Sequence, residues 1–222
     1  MILKLFIITG LIVLVIAIYI LVVFKNLSSI STGSRIPKQD KITTALLVMD
    51  IQEGITGKKS KDKRYQVLSD HLITKANEII KKANDANIPV IYVRFETTNW
   101  IMNILGSGIL AKGSPGIEID KRIKIVSDYV ITRNKMDAFT SAKLEPLLKD
   151  LNINCLDFIG LDAAYCIDRT AKAAINRGFS ARVIEDAVIS SNSKQLSKSL
   201  KSYPSAGIRL IRASEWQEMI TK

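Results

Sequence analysis

Residues 154–178 read NCLDFIGLDAAYCIDRTAKAAINRG, and this stretch decides the fold. Its first part, Cys155 to Leu161, is a short apolar run, which is typical of a strand buried on both faces of a sheet. From Cys166 onward the apolar residues recur at helical spacing until Gly178, a residue suited to a helix C-cap. The pattern therefore predicts a strand, a short loop and a helix that begins at Cys166.

Cys166 is the residue in this stretch that could carry chemistry. The first turn of a helix has N–H groups without intrahelical partners and a partial positive charge, and both favour a thiolate and a developing oxyanion. A cysteine can equally be a small buried hydrophobe, so the residue alone leaves both interpretations open. The chain has one further cysteine, Cys155, and no disulfide framework is indicated.

The N-terminus is dominated by an uncharged apolar segment. Residues 5–24 read LFIITGLIVLVIAIYILVVF, which is long enough to cross the hydrocarbon core of a bilayer. A cleaved signal peptide would have a shorter apolar core and a small-x-small cleavage site, so the sequence favours a retained transmembrane helix over residues 1–25. Cations on the C-terminal side place the following domain in the cytoplasm, in a single-pass topology. These cations are Lys25, Arg35, Lys38 and Lys41, against Lys4 before the span.

The rest of the chain divides into a linker and one domain. Residues 26–42 contain serines, a glycine, a proline and mixed charge, which predicts a flexible tether. Residues 43–222 alternate strands with helices, and this predicts an α/β fold of three-layer Rossmann-like type, a six-stranded, mostly parallel sheet with helices on both faces. The expected strands are Thr43–Met49, Pro89–Phe95, Asp128–Thr132, Cys155–Leu161, Ser180–Glu185 and Ile208–Ile211.

The formal charge of +11 indicates a basic surface without identifying a partner. Such a surface would be attracted to anionic lipids if it lay beside a membrane. No zinc spacing or aromatic-interleaved basic strand is present, so nucleic-acid binding is not expected. A phosphate-binding loop is also excluded, because only two residues separate Gly54 from Gly57 and Lys58 is followed by Lys59 rather than serine or threonine.

Three residues that could act together follow three predicted parallel strands. Asp50, Lys135 and Cys166 would meet at one edge of the sheet, where open α/β sheets bind their ligands. A thiolate could attack a carbonyl carbon, the lysine could stabilise the thiolate, and the carboxylate could accept the thiol proton. Each residue also has an ordinary structural interpretation, as a turn cap, a solvated lysine or a core cysteine.

Four blocks of sequence resemble the isochorismatase-like cysteine hydrolase family, which includes nicotinamidases and N-carbamoyl amidohydrolases. They are ALLVMDIQ with Asp50, KGSPGIEID before the third strand, VITRNKMDAF with Lys135, and IGLDAAYCIDRTAKAAINRGFSARVIEDA with Cys166. The resemblance covers residues 43 to 222. It implies hydrolysis of an amide or related C–N bond by an Asp-Lys-Cys triad.

The resemblance also implies details of the site. A non-proline cis peptide is expected at Leu161-Asp162, so that the backbone N–H groups of Asp162 and Cys166 form an oxyanion hole. Nicotinamidases bind a metal through an aspartate and histidines, but the only histidine here is His71. No metal and no other cofactor are therefore expected. Pocket walls are expected from Gln52, Trp100, Phe139 and Tyr165.

The sequence therefore predicts a membrane-anchored cysteine hydrolase that acts on a small amide, ureido or carbamoyl compound through a thioester-type intermediate. Its partners would be the small-molecule substrate and the bilayer around residues 5–24, and a homo-oligomer is possible. The alternative is a catalytically silent hydrolase-like domain that serves as a membrane-bound interaction module. The long segment from Glu96 to Pro115 is expected to be either a substrate wall or a disordered surface loop.

Overall fold

The computed structural model describes residues 2–58, 60 and 63–221. The residues outside this description are Met1, Lys59, Lys61, Asp62 and Lys222. Lys59, which was used above to argue against a phosphate-binding loop, is among them.

Six parallel strands form one sheet in the order β3-β2-β1-β4-β5-β6. This confirms the predicted six-stranded Rossmann-like fold. The order reverses between β1 and β4, and such a switch point is where open α/β sheets place their ligand crevice. The strands are β1 (Thr44–Met49), β2 (Val90–Phe95), β3 (Val130–Arg133), β4 (Cys155–Gly160), β5 (Ser180–Val188) and β6 (Ile208–Ile211).

Helices cover both faces of the sheet because successive strand residues point to opposite sides. Leu46 and Val48 of β1 pack in one apolar cluster, and Leu47 and Met49 pack in the other. Helices α2 and α7 cover the first cluster, and α4, α5 and α6 contact the second. In chain order the helices are α1 (Ile2–Leu27), α2 (Lys63–Asp85), α3 (Trp100–Leu105), α4 (Leu144–Asp150), α5 (Cys166–Asn176), α6 (Ser193–Ser202) and α7 (Ala213–Ile220).

Helix α1 contains an apolar window, Phe6–Leu27, that is long enough to cross a membrane, and none of this window is buried against the rest of the chain. A lipid bilayer would surround this apolar window with hydrocarbon, whereas water would leave its apolar side chains hydrated at a free-energy cost.

Residues 28–42 follow a defined path over the domain, which differs from the free tether expected from composition. Both the N–H and the hydroxyl of Ser31 donate to Asp137 Oδ2, at 2.8 and 2.6 Å. Further along, the Ile36 N–H donates to the Arg177 carbonyl at 2.8 Å, and Asn154 Nδ2 donates to the Lys41 carbonyl at 2.7 Å. Backbone groups of this segment are thus hydrogen-bonded to the domain, although the amino-acid composition had suggested a flexible tether.

The segment between β2 and β3 is a structured wall rather than a disordered loop. It contains α3, a bridge between Thr97 and Ala111 and a 3-10 turn at Pro115–Ile117. Gly116 permits its close packing, because a Cβ there would lie 2.0 Å from the Ile109 carbonyl oxygen.

Candidate active site

The candidate site lies at the topological switch point, where β1 and β4 end side by side. Asp50 directly follows β1, and its φ of 53° is in the left-handed region that non-glycine residues rarely adopt. The neighbouring strand ends at Gly160, where φ is 108° and a Cβ would lie 2.2 Å from the Met49 carbonyl oxygen. This close approach brings the loop after β4 against Asp50.

Arg133 reaches this site from β3. It is the last residue of that strand and pairs in register with Phe95 of β2. Its guanidinium carbon lies 5.2 Å from the centroid of the Phe95 ring, and its Nη2 donates a hydrogen bond to Asp50 Oδ2. The Arg133 side chain thus crosses β2, which lies between β3 and β1, to reach Asp50. Arginine is long enough for this contact.

Cys166 completes the cluster from the first residue of α5. The residue is partly exposed, and its thiol lies close enough to Asp50 and Arg133 for both charges to act on it. Burial of the thiol raises the pKa of Cys166 to about 12; the Arg133 charge opposes the shift and the Asp50 charge adds to it. At neutral pH Cys166 is therefore a protonated thiol beside a buried ion pair.

Burial and the neighbouring charges change the pKa values of both members of the ion pair. Burial raises the pKa of Asp50, and the Arg133 guanidinium opposes this shift by charge and by hydrogen bonding. Burial alone would lower the pKa of Arg133, but the nearby Asp50 and Cys166 charges raise it. Arg133 is thus a permanent cation, and Asp50 is the group in this cluster that can exchange a proton with the thiol.

The structure does not bring the predicted Lys135 to this cluster. Its ammonium instead donates to Asn26 Oδ1 at 2.7 Å, near the C-terminal end of α1. The strand runs from Val130 to Arg133 and so ends one residue later than expected. It alternates so that Ile131 and Arg133 are buried while Thr132 is partly exposed. That period-two pattern is the signal that could have identified Arg133, since it puts the arginine in phase with a core residue.

The loop between β4 and α5 presents two backbone donors. The predicted cis peptide at Leu161-Asp162 is present. Within the described part of the chain, no acceptor takes the N–H of Asp162 or of Cys166. The Asp162 carboxylate fixes the loop by accepting from the Ala164 N–H at 2.7 Å and from the Tyr65 hydroxyl at 2.8 Å. Backbone N–H groups without an acceptor are the type of donor that can bind an oxyanion.

The four predicted pocket residues have different environments. Gln52 is fully buried and braces the fold, because its amide donates to the Phe95 and Ile117 carbonyls, both at 2.9 Å, and accepts from the Phe95 N–H. Phe139 packs in the core, 5.8 Å from the Phe179 ring. These two side chains support the fold rather than line an open pocket.

The other two predicted pocket residues are more accessible. The Tyr165 hydroxyl donates to Gln195 Oε1 at 3.2 Å, which directs it toward α6. Trp100 is 64% exposed on α3. A cavity of about 770 Å³ lies beside the α3 segment, part of the stretch that was expected to be a substrate wall or a disordered loop, and none of the four predicted pocket residues lines it. Its walls include Ile55, Tyr65, Met102, Leu105, Leu110 and Met136.

The described residues contain no group of three or more His, Cys, Asp or Glu side chains placed to hold a metal ion. At the switch point the chain supplies a thiol, a carboxylate, a guanidinium and two backbone N–H groups.

The chain is similar to proteins that share this arrangement of strands. An uncharacterized isochorismatase family protein of Bacillus subtilis, YddQ, is 25% identical over 149 residues, which cover 66% of this chain and 77% of that protein. An isochorismatase-like hydrolase from Alkaliphilus metalliredigens superposes with a TM-score of 0.70 at 16% identity, covering 80% of this chain and 98% of that one. N-carbamoylsarcosine amidase from Thermoplasma acidophilum superposes with a TM-score of 0.64 at 24% identity, covering 77% and 96%. Residues 44–215 match the model of the isochorismatase domain, and the chain therefore belongs to the isochorismatase family.

Proposed function

We propose that this isochorismatase-family protein is a membrane-anchored cysteine hydrolase that cleaves a C–N bond of an amide, ureido or carbamoyl compound. The observation that carries the proposal is the buried Asp50–Arg133 pair next to Cys166 at the switch point, where no acceptor among the described residues takes the N–H of Asp162 or of Cys166. The similarity of the fold to N-carbamoylsarcosine amidase supports the choice of a C–N bond.

The proposed reaction begins with transfer of the thiol proton of Cys166 to Asp50. The thiolate sulfur attacks the carbonyl carbon, and the oxyanion accepts hydrogen bonds from the Asp162 and Cys166 N–H groups. Asp50 then returns the proton to the leaving nitrogen as the C–N bond breaks, which leaves an acyl or carbamoyl thioester and a free amine or ammonia. In the second half Asp50 takes a proton from water, and the hydroxide attacks the thioester carbonyl. The C–S bond then breaks, the carboxylic or carbamic acid leaves, and Asp50 returns the proton to the Cys166 thiolate.

Arg133 takes the cationic role for which Lys135 was expected. Its fixed charge stabilises the thiolate that forms next to the Asp50 carboxylate, which would otherwise repel it. Because a guanidinium does not release its proton in proteins, every proton transfer is assigned to Asp50.

The anchoring part of the proposal is supported by α1. Its apolar window is exposed to solvent unless lipid covers it, and the cations that follow it favour a cytoplasmic domain. A twenty-residue apolar span is held by the hydrophobic effect and not by surface charge.

The experiment that tests the function follows ammonia or amine release by the full chain in detergent micelles, with a panel of amides, N-alkyl ureas and carbamoyl amino acids. Mass spectrometry of the quenched enzyme should find the acyl or carbamoyl adduct on Cys166. Turnover that persists without such an adduct and survives Cys166→Ala would overturn the nucleophile assignment.

A second function has one observation in its favour. Arg133 stands in the cationic position although the family resemblance implies a lysine, so the domain could be a silent hydrolase-like module that binds a partner at the membrane. A complete absence of turnover across the panel, with the fold intact, would favour that function.

A further inference from the structure

The edge of the sheet that holds Cys166 lies against the C-terminal end of α1. The Leu27 carbonyl accepts from the Met136 N–H at 2.9 Å, and the next carbonyl, that of Ser28, accepts from Arg169 Nε at 3.0 Å. Lys135 reaches Asn26 in the same region. If α1 crosses a bilayer, these contacts hold the mouth of the candidate active site at the surface where α1 emerges.

Helix α3 lies further along α1, on the side toward the apolar segment. Asn99, which caps α3, donates from Nδ2 to the Tyr19 hydroxyl at 3.4 Å. At 1.5 Å per residue, Tyr19 is about 12 Å from Leu27 along the axis of α1. This places α3 about as deep as the apolar faces of interfacial helices, which enter the headgroup and acyl boundary by roughly 5–10 Å.

The surface of α3 suits that depth. Trp100, Ile104 and Leu105 are 64%, 68% and 60% exposed, and no residue of the helix is buried. Three large apolar side chains on six residues make an exposed patch of the kind that marks a binding surface. Tryptophan is typical of the membrane–water interface because its ring is apolar and its N–H is polar.

The cavity on the inner side of α3 is apolar and adjoins the catalytic loop. Met102, Leu105, Ile109 and Leu110 contribute to its lining, and its volume of about 770 Å³ is in the range of small-molecule pockets. The opposite wall includes Tyr65, whose hydroxyl donates to Asp162 in the loop before Cys166. The α3 segment therefore borders both the exposed patch and the cavity, and Leu105 lies at the boundary because it is 60% exposed and also lines the cavity.

We propose that α3 is a bilayer-contacting surface and that the cavity behind it holds the aliphatic chain of an amphiphilic amide or urea drawn from the membrane. The inference rests on the proposed C–N hydrolysis and names its substrate class. For a primary amide the reaction converts the long-chain amide and water into the fatty acid and ammonia, through an acyl thioester on Cys166.

The bilayer is the occupant that the structure favours for the α3 surface, because Asn99 at the start of α3 contacts Tyr19 within the apolar window of α1. A second copy of the chain or a water-exposed lid would also involve these residues, but neither would place Trp100 among acyl chains. Contact with lipid is therefore a measurable difference between the three arrangements.

Tryptophan fluorescence offers a direct test, since the chain has two tryptophans. Trp216 is fully buried and donates from Nε1 to Asp157 Oδ2 at 2.6 Å, so it is an internal reference. The full chain is reconstituted into phosphatidylcholine vesicles with and without bromine on the acyl chains. We expect bromolipid to quench the Trp100 emission and to leave the emission of Trp100→Phe unchanged. Equal emission of the wild type in both vesicles would overturn the inference. That outcome is expected if a second copy of the chain, rather than lipid, covers α3.

Substrate chain length provides a readout that separates this inference from the proposed function. Matched short and long compounds are compared in the same vesicles: acetamide with octanamide, and N-methylurea with N-octylurea. We expect kcat/KM to be at least about tenfold higher for the long member, because burying each methylene favours binding. Equal or better turnover of the short members would overturn the inference and leave the proposed function intact. Turnover of no member of either pair would overturn the assigned substrate class, and the wider panel given above would then decide the proposed function separately.

Discussion

The Arg133 guanidinium donates to the Asp50 carboxylate although the two residues are 83 positions apart, and both side chains are almost completely buried. Removing one member of a buried ion pair leaves an uncompensated charge, which typically costs 3–5 kcal/mol, so the pair is a sensitive point for stability. Both charges of the pair also act on the Cys166 thiol, which is the nucleophile in the proposed reaction. Structure and chemistry therefore depend on the same contact.

Replacing Arg133 should affect turnover far more than replacing Lys135. We expect Arg133→Ala to lose about a hundredfold or more in kcat, because the thiolate then forms beside Asp50 without a cation. Lys135→Ala is the matched control, and its activity should stay within about twofold, since the Lys135 ammonium donates to Asn26 and not to the Asp50–Arg133 pair. Arg133→Lys keeps the charge and should recover part of the loss. Steady-state kinetics and thermal unfolding of all three variants provide the measurement, and a larger loss in Lys135→Ala than in Arg133→Ala would restore the original lysine assignment.

The two cysteines should differ in function. Cys166→Ala should abolish turnover and leave the fold intact, because it removes the nucleophile and keeps a small side chain. Cys155→Ala removes the other thiol, which is buried in β4, and should keep turnover while lowering the free energy of unfolding by about 1 kcal/mol. Activity assays and chemical denaturation test the pair. Loss of turnover in both variants with equal loss of stability would mean that neither thiol is specifically catalytic.

Asp50→Asn should uncouple thiol reactivity from catalysis. The Asp50 charge adds to the rise in the pKa of Cys166, so removing that charge should lower the pKa and speed alkylation at a given pH. Turnover should nevertheless fall by about a hundredfold or more, because the proton acceptor is lost. Iodoacetamide labelling of Cys166, followed by mass spectrometry across a pH series, measures the first effect. Slower labelling in the variant would contradict the assigned contact.

The wild-type labelling profile has its own expected form. Because the pKa of Cys166 is raised to about 12, the thiol stays largely protonated at neutral pH. The labelling rate of a free cysteine levels off once the pH exceeds its pKa of about 8.5. The labelling rate of Cys166 should instead keep increasing above that pH. A plateau near that value would show that burial does not control this thiol.

The segment between α1 and the domain should be protected from hydrogen exchange. The N–H groups of Ser31 and Ile36 are bonded to Asp137 and to the Arg177 carbonyl, so both should exchange more slowly than those of a free tether. Arg177→Ala removes the guanidinium that donates to the Ser31 and Thr32 carbonyls, and should reduce this protection. Exchange at the free-chain rate in the wild type would support the flexible tether expected from composition.

Membrane attachment should resist conditions that remove charge-bound proteins. The full chain should stay with membranes through high-salt and carbonate washing, because an apolar span is not released by screening. Protease added to intact cells should spare the domain if the cations after α1 set the orientation. Release by salt would indicate peripheral binding through the basic surface.

Short-range patterns in the sequence determined the architecture and part of the site. Alternating strand and helix periods predicted the six parallel strands, and the change of period at Cys166 predicted the start of α5. Asp50 was found because a carboxylate directly follows an apolar run. These features depend on residues close together in the chain, where side-chain spacing alone decides which face is buried.

Tertiary structure decided which side chains meet. Lys135 and Arg133 are only two residues apart in the chain. The residue at which β3 ends and its pairing with β2 determine that the arginine side chain points into the domain and lies over the Phe95 ring. Gln52 resembled a pocket residue, but its hydrogen bonds to Phe95 and Ile117 make it a brace. The path of residues 28–42 likewise depends on acceptors and donors far along the chain. Such contacts form because buried polar groups must find partners, and the positions of those partners are fixed only when the sheet and its helices are assembled.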